Sequence, residues 1–316
     1  MTALAIREAS EADAPGIRRL FARTFGVEQT EQEWLWKYAR NPDGWYGIVA
    51  EQDGEIVGNY AGWGMRFLVD GEETVLYSVG DVATDPRARG LGRAAYRAMS
   101  GAFYETMDAR GVPFCFGFPN ARALEISNRL VGTRTFFAVR EVRLPVAAFP
   151  APRSPANAIL AADAASAGFD LLWAAARTGI SHGAVRDRLR ANWRFHARPT
   201  RYYRMLSIEG AGGARSWAAL SVVGEKALVA DFLDADPEGG GFPELFAAAA
   251  AEAARLGARY LVFWETPGGP GREAIGRLPG ERREAGFSFA VRSLDDAAGA
   301  RLKERAHFVP ALYDVV

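Results

Sequence analysis

The sequence predicts an α/β fold: a mixed, mostly antiparallel sheet with flanking helices, laid down twice along the chain. Three observations predict it. Short apolar or alternating runs bounded by turn residues recur throughout, with amphipathic helical runs between them. Val79–Ser100 reads as strand, tight glycine loop and helix in immediate succession. After a proline-rich connector at Phe149–Pro155, the second half repeats part of the same order.

The elements follow in sequence. Ala3–Arg7 alternates as a first strand, and Ser10 caps a helix with Ile17, Leu20, Phe21 and Phe25 on one face. A short helix, Thr30–Tyr38, carries Trp34 and Trp36. The turn Asn41–Gly44 leads into strands Trp45–Glu51, Glu55–Leu68 and Thr74–Thr84, with hairpin turns at Asp53-Gly54 and Asp70-Gly71. A helix from about Gly90 to Ala109 ends at Gly111. Val112–Phe118 reads as a buried strand, Arg122–Leu130 as a short helix and Thr135–Leu144 as a strand.

The second half offers strands at Arg201–Glu209, Ser216–Val223 and Lys226–Leu233, then an alanine-rich helix opened by Pro243 and closed by Gly257. Arg259–Glu265 and Phe287–Ser293 read as strands, and Arg272–Leu278 as a short helix. Arg188, Trp193, Arg194 and Phe195 lie in a basic, helix-like stretch expected to be a solvated face. The expected domains are residues 1–148 and 158–316, with 149–157 as linker.

Bulk properties exclude several classes. The 316 residues carry 38 basic and 38 acidic side chains, a balance unlike that of a dedicated nucleic-acid or membrane-surface binder. The single cysteine, Cys115, rules out an internal disulfide and a cysteine metal cluster, and the three histidines lack metal-ligand spacing, so no metal is expected. No run approaches the roughly 18 apolar residues of a membrane span. The start, MTALAIREAS, lacks the basic and apolar segments of a signal peptide. A cytoplasmic protein is expected, and the arginine- and alanine-rich composition suits a high-GC bacterium.

The loop Arg87-Ala88-Arg89-Gly90-Leu91-Gly92 carries the chemistry. Two glycines allow close backbone approach to an anion, the following helix presents unpaired N–H groups, and Arg87, Arg89 and Arg93 add charge. A pyrophosphate suits that combination. No Lys-Ser/Thr pair follows, as a P-loop requires, and the third glycine of a dinucleotide fingerprint is missing. Arg-x-x-Gly-x-Gly after Val-Ala-Thr-Asp-Pro resembles the acyl-CoA pyrophosphate loop of the GNAT family of N-acetyltransferases. The element order over residues 3–148 is also that family's β-α-α-β-β-β-α-β-α-β.

The resemblance implies two splayed parallel strands, Val79–Thr84 and Val112–Phe118, with pantetheine in the gap. It places Val82, Ala83 and Thr84 as main-chain contacts and the Val82 amide near the thioester oxygen. Asn120 opens an Asn-x-x-Ala-Leu segment like the family's, where the asparagine meets pantetheine, although an asparagine after proline is equally a turn residue. Ser127 stands where many members carry a tyrosine that protonates the leaving thiolate. Asp81, in an otherwise apolar strand, is expected to be a base or acceptor anchor, or else to pair with a nearby arginine. Asp85 reads as a turn residue, and Cys115 among Phe114, Phe116 and Phe118 as core. Trp34, Trp36, Tyr38, Trp45 and Tyr46 either wall an acceptor site or pack in the core.

The second half resembles a degenerate GNAT copy, because its corresponding loop carries Asp234, Asp236 and Glu238 and would repel a pyrophosphate. The implied activity is acyl transfer from acetyl-CoA or another acyl-CoA to a small-molecule primary amine, in a monomer or homodimer. The alternative is a non-catalytic acyl-CoA-binding module whose second half binds a partner.

Overall fold

The computed structural model describes residues 4–87, 92–153, 157–159, 165, 167–210, 213–236, 238, 240–293 and 296–313. The chain forms two compact units that exchange segments: Met1–Arg66, Thr74–Phe137 and Ser288–Asp296 in one, and Phe67–Glu73, Ala138–Phe287 and Ala297–Val316 in the other. The proline-rich connector expected between domains therefore falls inside the second unit.

The first part of the chain runs β1 (Ala5–Glu8), α1 (Ala14–Phe25), α2 (Glu31–Lys37), β2 (Trp45–Gln52), β3 (Glu55–Val69) and β4 (Glu72–Thr84). It continues through α3 (Gly92–Ala109), β5 (Phe114–Gly117), α4 (Ala121–Val131) and β6 (Arg134–Pro145). Next come β7 (Asn157–Ile159), α5 (Ala167–Ala176), β8 (Gly183–Ala184), α6 (Arg188–Ala191), β9 (Arg204–Gly210), β10 (Gly213–Val223) and β11 (Lys226–Asp234). The last elements are α7 (Phe242–Arg255), β12 (Tyr260–Trp264), α8 (Gly271–Gly276), β13 (Glu281–Ser293) and α9 (Asp296–Arg305).

In the first unit the strands lie in the order β1-β2-β3-β4-β5-β13. The end of β13 runs antiparallel to β5, pairing Ala290 with Gly117 and Ser293 with Phe114. Both hairpins take the turn their sequence demands: Asp53 and Gly54 sit at φ 54° and 76°, Asp70 and Gly71 at 52° and 85°, as a two-residue loop matched to strand twist requires. Ser10 and Asp13 form a capping box ahead of α1, which buries Ile17 and Leu20 and stops at the left-handed Gly26. Thr30 caps α2 by accepting the Glu33 N–H. Trp34, Trp36, Tyr38 and Tyr46 are all buried, so these aromatic residues are core.

In the second unit the order is β6-β12-β11-β10-β9-β7, with β11 and β12 parallel. α7 begins with Pro243 in its first turn and buries Leu245, Phe246 and a run of alanines. The basic stretch near α6 is solvated at Arg188 but not beyond Ala191. Trp193, Arg194 and Phe195 are buried, and Arg194 donates to the carbonyls of Ala311 and Tyr313 and to the Tyr203 hydroxyl. Those three partners satisfy a guanidinium that local sequence marks as exposed. Arg186 and Asp231 form a second buried group: Arg186 Nε donates to Asp231 Oδ1 at 2.9 Å and its Nη1 to the Ala184 carbonyl at 3.0 Å. Among the described residues, no helix is long and apolar enough to cross a membrane.

Candidate active site

The site grows from β4 of the first unit. Its parallel ladder with β5 has two described partners, Tyr77 with Cys115 and Ser78 with Phe116. β5 ends at Gly117, while β4 continues to Thr84. Where the strands part, a Cβ on Gly117 would lie 2.9 Å from the Val79 carbonyl oxygen, so only glycine permits that approach. Beyond it the β5-facing edge of β4 has no described ladder partner, as the splayed-strand reading expects. Ala83 is buried there, and Val82 and Thr84 are half-buried.

Asp81 interrupts β4 in a left-handed conformation, φ 53°. Its Oδ2 accepts hydrogen bonds from Lys37 Nζ and from the Tyr38 hydroxyl, each at 2.7 Å. Its backbone carbonyl accepts from Asn59 Nδ2, also at 2.7 Å. The cation paired with Asp81 is thus a lysine from α2, not one of the arginines near it in sequence.

Asp85 closes the strand and is more than a turn residue. Its buried carboxylate accepts from Arg23 Nε, from the Arg87 backbone N–H and from the Arg87 guanidinium. Arg87 also meets Glu55 at 3.3 Å. The Arg87 hydrogen bond, with Arg23 nearby, pulls the Asp85 carboxyl down to about 2. A depressed carboxyl pKa gives stability that is present above the unfolded value near 3.8 and is lost as pH falls through about 2. Asp85→Asn is therefore expected to cost about 1–2 kcal/mol at pH 7. The deficit should shrink on titration towards pH 2, as thermal melts across pH would show; a deficit constant with pH would contradict the assignment.

Ala88, Arg89, Gly90 and Leu91 lie outside the described residues. Gly92 begins α3, Arg93 is exposed beside it, and a cavity of about 240 Å³ opens there. Thr84, Gly92, Arg93 and Tyr96 line one wall; Glu125, Ile126, Arg129 and Leu130 of α4 line the other. None of the α4 side chains is buried. The sequence reading missed this second wall. Its signal was an amphipathic helix whose apolar face, including Ile126, stays open to solvent.

Asn120 caps α4, its Oδ1 accepting the Ala123 N–H at 3.0 Å. Ser127 is half-buried, donates to the Leu124 carbonyl at 3.1 Å and is not among the residues lining the cavity. Cys115 is buried in the core, and burial pushes its thiol up to about 12.

In the corresponding loop of the second unit, three described amides bond to the loop's own carboxylates. Asp234 Oδ1 accepts the Asp236 N–H, and Asp236 accepts the N–H groups of Glu238 and Gly240. Amides that could cradle a phosphate are bonded to the loop's own carboxylates.

Residues 5–129 match the model of the acetyltransferase (GNAT) domain. This part of the chain is a GNAT domain. No curated protein sequence matches the chain significantly. Among solved structures, the GNAT-containing chain resembles a conserved protein of Enterococcus faecalis named a probable N-acyltransferase, with TM-score 0.71 and 12% identity over 95% of this chain and 74% of that one. A GCN5-related N-acetyltransferase of Anabaena variabilis gives 0.70 and 12% identity over 96% and 75%. The N-myristoyltransferase of Saccharomyces cerevisiae, solved with myristoyl-CoA, gives 0.59 and 8% over 93% and 79%. At these identities the likeness is one of fold.

Proposed function

We propose that the GNAT domain is an acyltransferase that moves an acyl group, acetyl in the simplest case, from acyl-CoA to the primary amine of a small molecule. The observation that carries this reading is the continuity of one strand: β4 leaves its ladder with β5, turns at Asp81 and ends at the cavity where α3 begins. An extended thioester lying along that edge would place its pyrophosphate at the α3 N-terminus, where unpaired N–H groups and the helix dipole favour an anion. Arg89 and Arg93 would add charge. The main chain of Val82, Ala83 and Thr84 would bond the pantetheine arm, and the Val82 N–H would hold the oxyanion as the amine adds to the thioester carbonyl. Asn120 would border the same arm.

The chemistry needs no covalent enzyme intermediate. The free amine adds to the carbonyl, the tetrahedral adduct collapses, and the C–S bond breaks to release CoA thiolate. A thiol with pKa near about 8.5 leaves without a strong acid, so Ser127 or water would suffice to protonate it. An alkyl ammonium, pKa about 10.4, must lose its proton before attack. The second half, 158–316 in the tandem reading, would be a degenerate copy that holds no acyl-CoA, because its loop is acidic and the Asp236, Glu238 and Gly240 amides are already taken.

One observation favours a binding module instead: the hydroxyl of Ser127 is bonded to its own helix, at the position where a general acid would stand. Free-thiol release from acetyl-CoA, measured with amino sugars, amino acids, polyamines and peptide N-termini, separates the two. Release above the amine-free rate with at least one acceptor is expected. Binding without release by any of them would leave the module, and no binding would overturn both.

A further inference from the structure

Three buried groups from two elements converge on one left-handed residue. Lys37 in the last turn of α2 and Tyr38 at its C-cap both donate to Asp81 Oδ2, while Asn59 of β3 holds the Asp81 carbonyl. Lys37, Tyr38 and Asn59 are at most 2% exposed. The end of α2 is itself fixed, because the Trp34, Tyr38 and Trp45 rings pack on one another with centroids 5.3 to 5.5 Å apart. Asp53 and Asp70 reach the same φ in hairpin turns that demand it, whereas Asp81 does so within a strand, where its neighbours must hold the turn. Both lone-pair directions of Oδ2 are already occupied by short hydrogen bonds.

We infer that Lys37, Tyr38 and Asn59 are positioning residues that clamp Asp81 in its left-handed turn, and that the Asp81 carboxylate serves this clamp and does not take the acceptor's proton. The inference rests on the acyltransferase reading, in which the peptide after Asp81 carries the Val82 N–H towards the thioester oxygen. The turn sets the direction of that N–H, so the clamp acts on catalysis through Val82. With Lys37 and Asp81 neutralising each other, the amine gives its proton to solvent.

Paired variants separate backbone from carboxylate. Lys37→Met with Asp81→Gly removes both charges and leaves a residue that takes positive φ freely. Lys37→Met with Asp81→Val removes the same charges and leaves a β-branched residue that resists it. The glycine pair is expected to keep kcat within about tenfold of the parent, and the valine pair to fall at least about thirtyfold further, with the KM for acetyl-CoA within about threefold in both. Asn59→Ala should lower kcat about fivefold with the same unchanged KM. Equal loss in the two pairs would overturn the inference, because the carboxylate itself would then be required. Hydrogen exchange at the Val82 amide supplies a readout independent of turnover. Protection should survive in the glycine pair and collapse in the valine pair; equal protection overturns the clamp. A parent protein that releases no thiol with any amine would instead refute the acyltransferase reading and leave the exchange result to decide the clamp.

Discussion

Gly92→Trp is expected to abolish acetyl-CoA binding and leave the chain folded. Gly92 opens α3 on the cavity wall, and the nearest atom to an added Cβ is Thr84 Oγ1 at 3.8 Å, an ordinary contact. The backbone there is not left-handed, so a side chain adds no strain to the helix start. An alanine should therefore fit, whereas an indole would occupy the cavity between Thr84 and α4. Loss of at least about a hundredfold in affinity, roughly 2.7 kcal/mol, is the expected calorimetric result for tryptophan. The matching control is Gly240→Trp. An added Cβ would meet Asp236 Oδ2 at 2.5 Å, the end of a flexible side chain, and acetyl-CoA affinity should not change. Wild-type affinity in Gly92→Trp would remove the cavity from acyl-CoA recognition.

The largest effect on stability is expected from Arg186→Met. Arg186 and Asp231 are both buried, and the Nε–H shared between both carboxylate oxygens, at 2.9 and 3.1 Å, is the principal charge compensation for Asp231. Truncation leaves that carboxylate with the Phe232 N–H as its described local donor. Stranding a buried charge in this way costs about 3–5 kcal/mol. Burial already raises the Asp231 carboxyl above its ordinary value even with Arg186 present. The sign follows from that direction. A carboxyl raised in the folded state binds its proton more tightly when folded, so its penalty is felt above the folded pKa and relieved as pH falls towards the unfolded value. Arg186→Met should therefore be most destabilised at pH 8 and partly recover at pH 5, against the usual trend for acid. The double variant Arg186→Met with Asp231→Leu should regain most of the loss, since an apolar pair of similar volume has no charge to desolvate. Urea midpoints at the two pH values decide the matter; a pH-independent loss below about 1 kcal/mol would contradict it.

The local elements were legible because each carries its own punctuation. Asp53-Gly54 and Asp70-Gly71 could turn only with positive φ, Pro243 and Gly257 bracket α7, and the amphipathic runs of α1 and α3 gave their buried faces. Pairing between distant segments was not legible. Periodicity in Phe287–Ser293 announces a strand but does not say that its end pairs with β5, some 170 residues earlier. The Trp193–Phe195 end of the basic stretch misled for the same reason. Its charge suggested solvent, while the carbonyls that satisfy Arg194 lie 117 and 119 residues away.

At the site, the strand before the glycine loop and the helix after it were readable from their own patterns, while Ala88, Arg89, Gly90 and Leu91 lie outside the described residues. The left-handed turn at Asp81 was not readable, since aspartate in a strand signals nothing about φ. Lys37 and Asn59 also carried no local mark, because their importance comes from the residue they reach. The acidic loop of the second half signals repulsion of phosphate by charge alone; the structure adds that the Asp236, Glu238 and Gly240 amides are bonded to the loop's carboxylates.

The central claim is that the chain holds one acyl-CoA, in the cavity between α3 and α4 of its GNAT domain. Calorimetric titration of the full chain with acetyl-CoA tests it most directly. The expected result is saturation at one equivalent per chain, lost in Gly92→Trp and kept in Gly240→Trp. Saturation at two equivalents, or no binding at all, would contradict it.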